Sequence, residues 1–241
     1  AYMTLKGLFG QWRASWLDPV AIPLEPAGMK DQSLGSLVAR VTGLAPGAAL
    51  VATAVVVALA LLVVVFRDPR FRGNPAQWAG GAAVGAIVVA GWYVSGHLGF
   101  GENPETLEVG YFATNSRTLE SMSFVAPGAY LLELLMLWTD KSLHATFGIA
   151  TAVGVVLGSL GMALATGRFR WEGFASLDDL KGQLAGGVLM GFGGVTAIGC
   201  TVGQGITGVS TLALGSFIAL AAILAGATAT LKYILWKAER E

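Results

Sequence analysis

The longest stretch of chain without Asp, Glu, Lys or Arg, the 50 residues Gly182–Leu231, contains the segment Gly191-Phe-Gly-Gly-Val-Thr-Ala-Ile-Gly-Cys-Thr-Val-Gly-Gln-Gly-Ile-Thr-Gly208. Cys200, Thr201, Gln204 and Thr207 place one thiol, two hydroxyls and one amide within eight residues. No cation stands among them, so an anion there is held by neutral donors and by backbone N–H groups, which attract negative charge at a helix N-terminus. Weak holding of that kind suits a path along which an ion moves on. Residue type and spacing leave a second reading open. Glycine-rich membrane segments are ordinarily helix-packing faces, and a lone Cys is ordinarily a small apolar filler.

Other chemistries lack the residues they need. One Cys forms no intramolecular disulfide and runs no dithiol relay. One Cys and two distant His, His97 and His144, fall short of the three or four ligands of a zinc site, so no metal and no cofactor is expected. A thiol enzyme built on Cys200 would need a base or cation beside it to stabilise the thiolate, and none is near in sequence. The 15 Lys and Arg balance the 15 Asp and Glu, so no basic surplus is left for nucleic acid.

The elements that must position these groups follow from where charge is missing. The chain has 241 residues, 54% of them hydrophobic and 12% charged, and three more charge-free stretches, Pro46–Phe66, Gln77–Ser95 and Ala145–Ala165, run for 19 to 21 residues. A helix needs about 20 apolar residues to cross a bilayer, and a β-barrel strand would alternate instead. The fold class is therefore an all-α integral membrane protein, a bundle of several spans. Spans are expected at 46–66, 77–95, 145–165 and 212–231, after an interfacial or extramembrane arm over 1–45. In that arm Trp12 and Trp16 share a helical face, and Pro19, Pro23 and Pro26 interrupt regular helix. Arg67, Arg70 and Arg72 put the first loop in the cytoplasm, and Glu102, Glu105 and Glu108 suit the next loop to the other side.

Two segments do not fit a plain span. Continuous helix over Gly182–Leu231 would be about 75 Å long, so the chain must fold back. Glycine weakens helix by about 1 kcal/mol against Ala, and the cluster predicts a break around Gly199–Gly205, within a broken segment 182–211. Thr118–Trp138 contains Glu120, Glu133 and a central Pro127-Gly128. A carboxylate inside a span usually faces a polar cavity or a partner. For Glu120 the alternative is pairing with Arg117 on one helical face, and for Glu133 it is an acid at a helix end reaching the interface. The charge rule favours a broken or re-entrant 118–138, because Arg168 and Arg170 then fall on the same side as the first basic loop.

The block Gly186–Ser216 closely resembles the YeeE/YedE sulfur-transport family, and its Gly-Cys-Thr-x-Gly-x-Gly core is fairly specific. The stretches Glu120–Pro127 and Arg168–Gly173 are similar to the C-terminal half of that family. The resemblance implies a bacterial inner-membrane transporter, not an enzyme. It implies two inverted halves that bring short helices to mid-membrane, of which this chain holds one half and more. It implies a thiosulfate-like anion as substrate, Cys200 as the thiol that meets it, and Gly199, Thr201, Gly203, Gln204, Gly205 and Thr207 as its surroundings. The implied relay is non-covalent: the thiol donates a weak hydrogen bond to the terminal sulfur of the anion. A cytoplasmic sulfur-carrier partner follows by family analogy. No second Gly-Cys-x-x-Gly occurs and the first residue is Ala1, so a C-terminal portion or one half of a split transporter is expected, with the missing half as partner. The competing function is a structural subunit of a larger membrane complex.

Overall fold

The computed structural model describes residues 1–20, 32–102, 107–174 and 176–240. In chain order the elements are α1 (Tyr2–Leu5), α2 (Leu8–Trp12), α3 (Leu34–Thr42), α4 (Pro46–Arg67), α5 (Pro69–Arg72), α6 (Pro75–Tyr93), β1 (Phe100–Glu102), β2 (Val109–Tyr111), α7 (Val125–Met136), α8 (Phe147–Ala165), α9 (Leu177–Thr196) and α10 (Leu214–Ala238). A short helix over 201–210 lies between α9 and α10 in the chain and winds as π-helix over Gly203–Gly208. Pro46–Arg67, Pro75–Leu98, Phe147–Ala165 and Leu214–Ala238 are long and apolar enough to cross a membrane. The protein is an all-α, multi-pass membrane protein.

Helix ends sit where local chemistry stops or starts them. Pro46 opens α4 at its first position, where a missing N–H costs nothing. Pro75 does the same for α6, with the Asn74 side chain accepting from the Ala76 N–H at 3.2 Å. Ser176 caps α9 by accepting from the Asp179 N–H at 3.1 Å, and Asp178 and Asp179 occupy the first turn, where the helix dipole favours acids. The twelve residues of α7 span about 18 Å, short of a bilayer core of about 30 Å. Pro23, Pro26 and Glu105 lie outside the described residues.

The chain divides into two compact units, Ala1–Ala21 with Val88–Gly203, and Ile22–Ile87 with Gln204–Glu241. The stretch 1–45 is thus shared between them. In the first unit α1 packs on α7 and α9, the hairpin β1–β2 pairs Phe100 with Tyr111, and Ser121 donates to the Val88 carbonyl at 2.9 Å. In the second unit α3 lies against α4 so closely that a Cβ on Gly35 would fall 2.8 Å from Leu50 Cα. The chain entering α10 is tied to the start of α3 by Leu34 N–H to Leu212 O and Leu214 N–H to Gln32 O, both 2.9 Å.

One reading of the sequence needs correction here. Residues 112–124 are non-helical, so Arg117 and Glu120 share no helical face. Arg117 turns instead to Glu108, at 3.9 Å, and over the Phe112 ring. Ser95 Oγ donates to the Glu120 carbonyl, which fixes that part of the loop. Glu133 is buried in the last turn of α7 and its partner is Lys6.

Candidate functional site

The break that sequence spacing set at Gly199–Gly205 falls at 197–200. At the end of α9 the Gly199 N–H reaches back to the Gly194 carbonyl at 2.8 Å and the Ile198 N–H to Val195 at 3.1 Å. That pair of bonds is the Schellman closure, which needs a left-handed residue between its partners and normally finds glycine there. Here the residue is Ile198, with φ of 57°. A left-handed L-residue costs about 1–2 kcal/mol, and β-branching makes it worse. The turn that follows the short helix dispenses with glycine in the same way and ends on Leu212, with φ of 58°. Strain of this kind concentrates at functional sites.

Cys200 is the N-cap of the short helix, and its Sγ accepts from the Gly203 N–H at 3.4 Å. With a lone pair engaged in this way, the S–H remains free to donate. Gly203 lies inside a helical turn and breaks nothing. Its lack of a side chain serves close approach: a Cβ there would stand 3.0 Å from Ser123 Oγ and 3.8 Å from Ser123 Cα. Ser123 immediately precedes Phe124, the N-cap of α7. The next residue, Val125, is seated on α9 at Gly194, where a Cβ would be 2.8 Å from its Cγ2.

Ser123, just ahead of the first turn of α7, therefore lies beside the first turn of the helix that Cys200 caps. The leading N–H groups of a helix have no intrahelical partner, and those of Val125, Ala126, Thr201 and Val202 go to no other described backbone group. Pro127 adds no N–H to that set and its ring is buried. Each helix start carries roughly half a positive charge, falling off within a turn.

Of the remaining sequence candidates, Gln204, Gly205 and Thr207 lie in the second unit. Gln204 Oε1 accepts from Ser216 Oγ at 2.5 Å. Gly208 leaves room for that bond, since a Cβ on it would collide with Ser216 Oγ. Thr207 is buried, and its carbonyl accepts from Ser210 Oγ at 2.6 Å. Gly205 faces Leu220, whose Cδ1 would be 3.1 Å from a Cβ. In the first unit, Thr201 is exposed and Gly199 is buried. Glu120 and Glu133 do not join Cys200. Glu133 takes the Lys6 ammonium at 2.6 Å, and that hydrogen bond raises the Lys6 pKa above its ordinary value, against a smaller lowering by burial. No group of three His, Cys, Asp or Glu gathers among the described residues to hold a metal.

Sequence reasoning passed over Ser123, Ser216, Ile198 and Lys6. Ser123 and Ser216 both fall inside the stretches that carry the family resemblance, and their hydroxyls were the available signal. Nothing in the sequence marks Ile198 as left-handed.

A family model described as sulphur transport matches residues 1–229. The thiosulfate transporter TsuA of Spirochaeta thermophila is 27% identical over 239 residues, covering 98% of this chain and 64% of the relative, so the chain spans somewhat less than two thirds of that relative's length. No solved structure matches.

Proposed function

The chain belongs to the sulphur transport family, and on that premise we propose that it carries thiosulfate or a related sulfur-containing anion across the bacterial inner membrane into the cytoplasm. The observation that carries the reading is the approach of Ser123, at the entry to α7, to the turn capped by the Cys200 Sγ, with the leading N–H groups of Val125, Ala126, Thr201 and Val202 going to no other described backbone group. Broken helices with N-termini aimed at a midplane site are a recurring way of binding anions in transporters. The N–H groups and the dipoles supply the attraction. The S–H of Cys200 then donates a hydrogen bond to the terminal sulfur of the anion, and no covalent bond forms. A thiol fits a soft sulfur atom because it is polarizable and uncharged away from cations. Gln204, whose Oε1 accepts from Ser216 Oγ, is a neutral polar group further along the chain, with Thr201 and Thr207 as hydroxyl neighbours in sequence. A missing half or partner chain and a cytoplasmic sulfur-carrier protein complete the proposal.

The test is uptake of labelled thiosulfate by cells expressing wild type, Cys200→Ser or Cys200→Ala at equal membrane levels. Ser retains a cap and removes the sulfur, so both variants are expected to lose at least about tenfold in uptake, the loss due to a group that acts only as the ion passes. Uptake by Cys200→Ala equal to wild type removes the thiol from the mechanism.

A further inference from the structure

Lys6 and Glu133 lie far from the thiol, yet their ion pair bears on it through α7. Glu133 is the one acid in that helix and is only 6% exposed. A buried carboxylate is costly unless paired, and removing one member of such a pair strands the other. The pair therefore ties the last turn of α7 to the chain that follows α1. Its cation comes from the chain just after α1, and α1 is itself firmly seated. Thr4 is 1% exposed, and the Ala1 backbone nitrogen lies so near Gly191 on α9 that a Cβ there would be 2.6 Å away.

From Glu133 back to Val125 is eight residues, or about 12 Å of rigid helix. At that far end the fit has no slack, with Val125 on Gly194 and Ser123 on Gly203. Any rotation or slide of α7 that relieves a stranded Glu133 is delivered to the gap between Ser123 and the capped turn at Cys200. Every residue in this chain of contacts belongs to the first unit.

We propose that Lys6 is a positioning residue of the anion path: paired with Glu133, it holds α7, and with it Ser123, against the Cys200-capped turn. The proposal rests on the transport reading above for its functional half, and its structural half is tested separately. Cys200 is the sole cysteine, so the rate at which N-ethylmaleimide modifies it in membrane vesicles reports the gap directly. The second readout is KM against maximal rate for thiosulfate uptake. Displacement of a site by about 1 Å can cost a hundredfold, so Lys6→Met is expected to change the labelling rate and raise KM by about tenfold each, with a smaller effect on maximal rate. Lys6→Arg is expected to stay within about twofold of wild type, and the exchange Lys6→Glu with Glu133→Lys to recover most of the loss, as coupled neighbours do.

Glu133→Gln removes the buried charge and leaves only the half-exposed Lys6 ammonium, which water can solvate, so it stands in if Lys6→Met fails to reach the membrane. Labelling rates within about twofold of wild type, the limit set for Lys6→Arg, in both Lys6→Met and Glu133→Gln overturn the proposal. If wild type takes up no thiosulfate, the transport reading fails while the labelling rates still decide the role of Lys6. Altered labelling with unchanged KM limits the pair to packing and overturns its part in the path.

Discussion

Adjacent glycines on α9 should respond in opposite ways to the same substitution. Gly193 has nothing within 4 Å of where a Cβ would go, whereas a Cβ on Gly194 would meet Val125 Cγ2 at 2.8 Å and Cγ1 at 3.1 Å. The first distance falls roughly 0.6 Å short of an ordinary 3.4 Å contact. Val125 has little freedom to turn aside, because a β-branched residue in a helix holds one χ1 rotamer, so the first turn of α7 must move. Helix propensity favours Ala over Gly by about 1 kcal/mol at either site and cancels between the two variants. Overpacking of this kind costs about 1–3 kcal/mol, and that is the expected stability gap between Gly193→Ala and Gly194→Ala. At roughly 2–4 °C per kcal/mol for a chain of this size, thermal unfolding of the detergent-purified variants should separate them by several degrees. Gly194→Ala should also weaken thiosulfate uptake, since Val125 opens the helix that faces Cys200. A Gly194→Ala protein as stable as Gly193→Ala refutes the packing argument.

Ile198→Gly should stabilise the protein. The left-handed penalty of about 1–2 kcal/mol exceeds the entropic cost of glycine, about 0.5–1 kcal/mol, and a side chain 89% exposed loses little packing; a lowered midpoint of unfolding contradicts this. Ser216→Ala should cost about 1–2 kcal/mol through the lost bond to Gln204 and raise the KM for uptake, as Gln204 loses one of the contacts that orient it. An unchanged KM would mean that Gln204 does not face the ion.

Most of the fold was legible in the missing charges. Bilayer thickness sets a length scale, and runs such as Pro46–Phe66 match it, with helix α4 observed over Pro46–Arg67. The ends follow local signals, such as Pro75 with Asn74 ahead of it. The interior of the glycine-rich segment was less legible, because glycine has two physical uses. Sequence alone assigns Gly203 and Gly205 to a chain break, while the structure uses them for close approach to Ser123 and Leu220. The break itself rests on Ile198, a residue whose intrinsic preference opposes it. Tertiary partners were hidden for a similar reason. Lys6 and Glu133 are separated by 127 residues, and no periodicity joins them.

The sulfur cap on the short helix sets stability against use. Oxygen side chains, those of Ser, Thr, Asp and Asn, are the effective N-caps, and a thiol is a weak acceptor. Selection for a sturdier fold alone would move position 200 toward Ser or Asp. Asp would seal the helix start best and set a negative charge on the proposed anion path. Ser would seal it nearly as well and stay neutral, so it is the replacement to expect in a lineage that kept the fold after losing the need for sulfur. On the proposed transport reading, the cysteine at this cap trades helix stability for a property only the larger, softer atom has.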